Sequence, residues 1–170
     1  MIGFRPVTIF HPFNPLIRPE CQLETWRAIK TFKLLYPNRV CLIDIACYSD
    51  YDYSKYLMAS FSSSVTDLII IEQDIAPTYP QFLQMINCRV EFTISDYRIG
   101  SDNKRWSEII DKRDAHYPLG FAMIRRSLYK DIKLGVCDWK NVAYEVSQAI
   151  DKLGVKPCIH SEVIHNHPYQ

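Results

Sequence analysis

The sequence predicts an α/β fold, a mostly parallel central sheet, doubly wound, with helices flanking it. Three observations predict it. Through the first half of the chain, apolar runs of strand length alternate with stretches whose apolar residues recur at helical spacing. The resulting order is β-α-β-α-β-α, the pattern of parallel crossover units. Finally, 170 residues without an internal repeat, a low-complexity tract or a linker suit one compact unit. Residues 1–170 are therefore read as a single domain.

The elements follow in order. Residues 7–10 form a short apolar run, broken by His11-Pro12-Phe13-Asn14-Pro15. Residues 20–36 carry Leu23, Trp26, Ile29, Phe32 and Leu35 at helical spacing, and Pro37-Asn38 stops them. Residues 40–46 read as a buried strand. A loop of Tyr, Asp and Ser leads to a helical stretch with Tyr56, Leu57 and Phe61, then to a strand over 67–71. Pro80 marks a helix start, with Phe82, Leu83 and Ile86 on one face. Residues 89–118 are polar and irregular, the signature of a functional loop or a disordered segment. A strand over 121–124 follows Pro118-Leu119-Gly120. A well-patterned helix spans 139–153, with Val142, Val146, Ala149, Ile150 and Leu153 inward, and Gly154 stops it as a C′ glycine. Residues 155–164 are strand-like and lead into His165-Asn166-His167.

Composition excludes several classes. Twenty Lys and Arg against nineteen Asp and Glu leave a net charge of +1, with no block of either sign. Nucleic acid is thus not an expected partner. No apolar run approaches the roughly 18–20 residues that cross a bilayer, and the first residues lack the basic-then-apolar layout of a secretory signal. A soluble, cytoplasmic protein is expected. The six cysteines (Cys21, Cys41, Cys47, Cys88, Cys137 and Cys158) form no CxxC pair, so a zinc ribbon or a thioredoxin-like site has no support. Buried free thiols are the expectation.

The most informative stretch is Asp67-Leu68-Ile69-Ile70-Ile71-Glu72-Gln73-Asp74-Ile75. An apolar strand ends in two carboxylates one residue apart. Strand alternation puts residues i and i+2 on one side, so Glu72 and Asp74 can reach one point beyond the carboxyl edge of the sheet. Open α/β sheets bind ligands at that edge. Two hard oxygen donors there suit Mg²⁺ or Mn²⁺, and such a cation would neutralise a diphosphate.

With this acidic ExD in place, the chain resembles the nucleotide-sugar glycosyltransferases of the GT-A fold, a Rossmann-like architecture. Gly120-Phe121-Ala122-Met123-Ile124-Arg125-Arg126 is similar to the family's glycine-plus-strand segment by the acceptor site. Asp138-Trp139, the amphipathic helix and Leu153-Gly154-Val155-Lys156 are similar to its "W, helix, G-x-K" block. The segment from Cys158 to His167 resembles its terminal strand, which ends in a metal-binding histidine.

The resemblance implies roles residue by residue. Asp74 would bind the divalent cation, Mn²⁺ or Mg²⁺, directly, and Glu72 would contact the donor's ribose or a metal-bound water. His165 would complete the metal shell, with His167 as the alternative on the same strand face. Asp44 would recognise the nucleotide base, while the segment from His11 to Asn14 would cradle the nucleoside. Many inverting members carry an acid about eleven residues before the helix-ending glycine, but Ala143 stands there. Asp138 is the first substitute as general base, followed by Glu145 and Asp114. A retaining enzyme would need no such base. The implied reaction moves a sugar from a nucleotide-diphosphate sugar donor to a glycan, protein or lipid acceptor, in a monomer or a homo-oligomer. The Ile- and Tyr-rich composition is compatible with a small archaeal-virus member acting in its host's cytoplasm. Two other classes compete: a catalytically inactive binding protein on the GT-A fold, and a metal-dependent nucleotidyltransferase or phosphohydrolase.

Overall fold

The computed structural model describes residues 5–16, 19–99, 104–108, 116–160 and 162–165, with the backbone alone described for 19–21, 99, 164 and 165. In chain order the elements are β1 (Val7–Phe13), α1 (Pro19–Leu35), β2 (Val40–Ala46), α2 (Asp52–Ser63), β3 (Asp67–Ile71), β4 (Ile75–Ala76), α3 (Tyr79–Asn87) and β5 (Phe92–Ser95). They continue with β6 (Arg98–Ile99), β7 (Lys104–Arg105), β8 (Phe121–Ile124), α4 (Arg126–Tyr129), α5 (Trp139–Lys152), β9 (Cys158–His160) and β10 (Ile164–His165).

Six strands form the central sheet in the order β2-β1-β3-β8-β5-β9. β1 is parallel to β2 and β3, and β5 is parallel to β9; β8 runs antiparallel to both β3 and β5. The fold is therefore α/β with a mostly parallel sheet. Helices cover both faces. Ile29 and Phe32 of α1 and Phe82, Met85 and Ile86 of α3 pack with Ile9, Ile69, Ile71 and Met123 on one side. Leu57 of α2 and Val142, Val146 and Ile150 of α5 pack with Phe10, Leu68, Ile70 and Ile124 on the other. Leu68 to Ile71 of β3 thus alternate between two buried layers, which is why the strand is apolar after Asp67. Among the described residues, no helix is long and apolar enough to cross a membrane.

Several expectations need correction. The chain does not break at His11. β1 continues to Phe13, because beyond Phe10 it pairs only with β2, and Pro12 sits where the strand has one partner, the position a sheet allows proline. β2 is an edge strand and only Val40 is buried, so the Cys41 thiol is exposed. The inward stripe of α1 is Thr25, Ile29 and Phe32, whereas Leu23 and Leu35 face solvent at 50% and 55% exposure. The 89–118 segment is not irregular throughout. Phe92–Ser95 is a fully buried strand seated between β8 and β9, and 155–164 resolves into β9 and part of β10 in two different sheets. α5 and its glycine stop form as expected, with Val142, Val146 and Ile150 buried and Gly154 at φ +71°, but Leu153, expected inward, is 43% exposed because it caps the helix end beyond the core stripe.

Candidate active site

The carboxyl ends of β1, β2, β3, β5 and β9 meet at one edge of the sheet. The acidic segment sits there, as a turn rather than an extension of β3. Strand pairing ends at Ile71, the Glu72 N–H donates to the Gly120 carbonyl at 2.9 Å, and the Ile75 N–H donates back to the Glu72 carbonyl at 3.1 Å. The i, i+2 alternation therefore does not set the two carboxylates, and each is placed by its own neighbours.

Glu72 continues the β3 alternation towards α2, where the Tyr53 hydroxyl donates to its Oε1 at 3.0 Å. Tyr53 is fully buried between Phe10 and Trp139, with ring centroids at 6.0 Å and 4.6 Å. Gln73 turns to the opposite side. Its carbonyl accepts from the buried Thr25 hydroxyl of α1 at 2.9 Å, and its Oε1 accepts from the Asn14 N–H at 2.5 Å. The turn is thus tied to both helical layers and to the end of β1. Asp74 is half-buried and shares a neighbour with Glu72. Burial, then the charges of Glu72 and Asp74, push the Tyr97 phenol well above the ordinary tyrosine range. The two carboxylates consequently lay a common negative potential on one buried ring. That potential and the hard oxygen donors fit a divalent cation of the Mg²⁺ or Mn²⁺ type.

β10 brings the third expected ligand to this turn. In the antiparallel β4–β10 ladder His165 is the register partner of Ile75, the residue after Asp74. Its backbone is described and its side chain is not; His167 lies outside the described residues.

The residues expected to meet the nucleoside fall at the same edge. His11 is buried at 1% exposure, and its Nδ1 contacts Asp44 Oδ1 at 2.7 Å. Trp26 stands edge-on to the His11 ring at 6.0 Å, and Nε2 has no hydrogen-bond partner among the described residues. Asp44, 24% exposed, is the member of this pair that reaches the surface. Asn14 lines a cavity of about 300 Å³ together with Asp50, Gln73, Asp138, Trp139 and Lys140. This cavity is at the small end of the range for ligand sites.

Of the candidate bases, Asp138 lines that cavity but is also the N-cap of α5. One oxygen accepts from the Asn141 N–H and the other from the Asn141 amide, both at 3.0 Å. Glu145 is half-buried two turns along α5. Burial first, then Glu145 and Asp138, raise the Cys137 thiol, which places both acids near one residue. Asp114 lies outside the described residues. Gln73 and Tyr97 escape a reading of the sequence as parts of the site, and Tyr53 and Trp139 are visible there only as a packing tyrosine and a motif tryptophan, not as neighbours of Glu72. Each acts through contacts distant along the chain, and an isolated Tyr or Trp reads first as packing.

No family model and no curated protein matches this sequence. In structure, the chain is similar to a glycosyltransferase involved in the glycosylation of the major capsid of PBCV-1. The TM-score is 0.47 and the identity 9%, over 92% of this chain and 82% of that chain. At that level no residue role is transferred from it.

Proposed function

We propose that this protein transfers a sugar from a nucleoside diphosphate sugar to an acceptor, using a divalent cation held at the 72–74 turn. The observation that carries the reading is the β4–β10 ladder. It sets the His165 backbone beside Ile75 and so next to Asp74, at the sheet edge where open α/β folds bind ligands. Asp74 and His165, with Glu72, would hold the cation. When bound, it would offset negative charge on the departing diphosphate. The protein's own groups do the rest. Tyr53 holds Glu72 from one helical layer, and Thr25 with Asn14 holds Gln73 from the other, so the turn is fixed before a ligand arrives. Such preorganisation spares the bound state the cost of ordering the turn. Asp44, oriented by His11, stands at the nucleoside side. Asp138, on the cavity wall, would take the proton from the acceptor hydroxyl.

Thermal shift with nucleoside diphosphates, with and without Mn²⁺, tests the reading, because a ligand bound only by the folded state raises the melting temperature. Stabilisation by a diphosphate should require Mn²⁺ or Mg²⁺, and Asp74→Asn should lose that metal-dependent stabilisation while the fold stays intact. Equal stabilisation in EDTA and in Mn²⁺ would sink the proposal.

One observation favours a second reading, a binding protein without turnover: both Asp138 oxygens already serve the α5 cap. Release of free sugar from the donor in the absence of acceptor separates the two. Slow metal-dependent hydrolysis supports the transferase, and binding without any hydrolysis supports the binder.

A further inference from the structure

A second cluster lies away from the acidic turn. Cys88 is the C-terminal cap residue of α3, Cys158 opens β9, and His160 follows two residues on, on the same strand face. β9 is the edge strand of the sheet, in register with β5 through Thr93↔Cys158 and Ser95↔His160. The ligand atoms of the three side chains all lie within 4.8 Å of one another, and Cys158 Sγ is 3.9 Å from His160 Nε2. Among the described residues, no other group of three His, Cys, Asp or Glu side chains converges in this way.

We propose that Cys88, Cys158 and His160 form a soft-metal site, for Zn²⁺, that pins the edge strand β9 to the end of α3. The geometry is close to the bound one. Zn–S bonds of about 2.3 Å and Zn–N bonds of about 2.0 Å in a tetrahedron put neighbouring ligand atoms about 3.5–3.8 Å apart. The 3.9 Å sulfur–nitrogen separation therefore has only a few tenths of an ångström to close. All three residues are half-buried, so a metal can reach them from solvent and leave a fourth position for water. Burial holds the His160 imidazole towards its neutral, ligating form. At the paired thiols, burial opposes ionisation, but hydrogen bonds from Thr93, Val90 and Cys158 and the Arg125 charge lower Cys88, while burial and then Cys88 raise Cys158. Binding would form two Zn–S bonds and one Zn–N bond and release the protons of the two thiols to solvent. The donor chemistry also sorts the metals. Thiolates and imidazole select zinc, whereas the carboxylates of the 72–74 turn suit Mg²⁺ or Mn²⁺. No CxxC spacing announces the site, because the two sulfurs come together only when β9 docks beside β5.

Co²⁺ alone, added to the reduced full chain, is the probe. It should give a thiolate-to-cobalt charge-transfer band that saturates at one equivalent and is displaced by Zn²⁺. Cys158→Ser should abolish the band. His160→Ala should weaken Co²⁺ binding by at least about tenfold, the lower limit seen even for groups that only support a ligand. Asp74→Asn should leave the band intact. A thiol titration of the wild-type chain needs no variant to fold: Zn²⁺ should protect two thiols from modification while the exposed Cys41 stays reactive. The proposal fails if no charge-transfer band appears, if the band survives in Cys158→Ser, or if Zn²⁺ protects no thiol. It also fails if the chain isolated without reductant has lost two thiols and two hydrogens of mass and peptide mapping joins Cys88 to Cys158 in a disulfide.

Discussion

At Gly120 a side chain would be tight: a Cβ there would lie 3.0 Å from both Ile75 Cγ1 and Tyr97 Cε1, so those side chains would have to give by a few tenths of an ångström. Those neighbours belong to β4, which leaves the acidic turn, and to the ring that senses both its carboxylates, while the Gly120 carbonyl accepts the Glu72 N–H. Gly120→Ala should therefore cost about 1–3 kcal/mol, the range for overpacking a filled interior. It should also weaken metal-dependent nucleotide binding, because relief of the clash moves Ile75 and Tyr97 against the turn. Urea titration and the diphosphate thermal shift read the two effects, and unchanged binding in a folded Gly120→Ala would show that the turn does not depend on this close approach. Asp138 poses the opposite question, whether one carboxylate serves a helix, a reaction or both. Asp138→Ala removes the cap and should cost about 0.5–2 kcal/mol. Asp138→Asn can still accept from the Asn141 N–H, so it should stay folded and bind the donor. If Asp138 is the base, transfer in this variant falls by about 10²–10⁴. Transfer near the wild-type rate passes the role to Glu145 or Asp114, or indicates a retaining reaction.

At the element scale, Asp67 and Arg125 clamp three pieces of the fold. Asp67 opens β3 and accepts from the Arg125 guanidinium and, at 3.0 Å, from the Arg126 N–H at the start of α4. Arg125 also donates to the carbonyls of Ile86 and Cys88, the end of α3. The two side chains are only 10% and 16% exposed, so an arginine left alone there keeps a buried charge. Asp67→Ala should cost about 3–5 kcal/mol, and adding Arg125→Met should recover part of it, since replacing both partners removes the stranded charge. Additive losses in the double variant would mean that the two side chains stabilise independently. Arg125 is thus committed to structure rather than free to bind an anion. The same scale shows what the sequence could reveal. The parallel half was legible because its strands are continuous apolar runs and its helices are long enough to show a period. β5 was not, since Phe92-Thr93-Ile94-Ser95 is four residues long and sits between charged neighbours. The acids of the turn and their place at a strand end were readable. The β4–β10 ladder that brings His165 to them is two residue pairs of backbone bonding, with no side-chain signature. Tyr97 was invisible beside the turn, and Tyr53 readable only as a packing or stacking residue, for a related reason, their partners being set by the fold.

Across the whole molecule, charge is nearly balanced, so no global repulsion dominates its response to pH. The response at alkaline pH instead belongs to acids the fold holds neutral. Tyr53 is pushed well above its ordinary value of 10.0 by burial and then by Glu72, and Tyr97 by burial and then by Glu72 and Asp74. Burial and then Asp52 raise Cys47 from 9.0 to about 11. In each case the folded chain keeps a proton that the unfolded chain releases. The unfolded state therefore binds fewer protons, and stability falls as pH rises. The contribution is complete below the unfolded values of 9.0 and 10.0 and is lost as pH climbs through the raised folded ones. Each withheld proton steepens the fall by about 1.4 kcal/mol per pH unit. Tyr53→Phe removes one titrating group and the hydrogen bond to Glu72. Near pH 7 it should be less stable than the wild type by about 1 kcal/mol, the net worth of such a bond. Between pH 10 and 11.5 its stability should decline less steeply, by close to one proton, so that the two curves converge and then cross. Urea denaturation at half-unit pH steps measures both slopes. Parallel curves over that range would mean that Tyr53 ionises as readily in the folded chain as in the unfolded one, and that the phenol supporting Glu72 is not sealed from water.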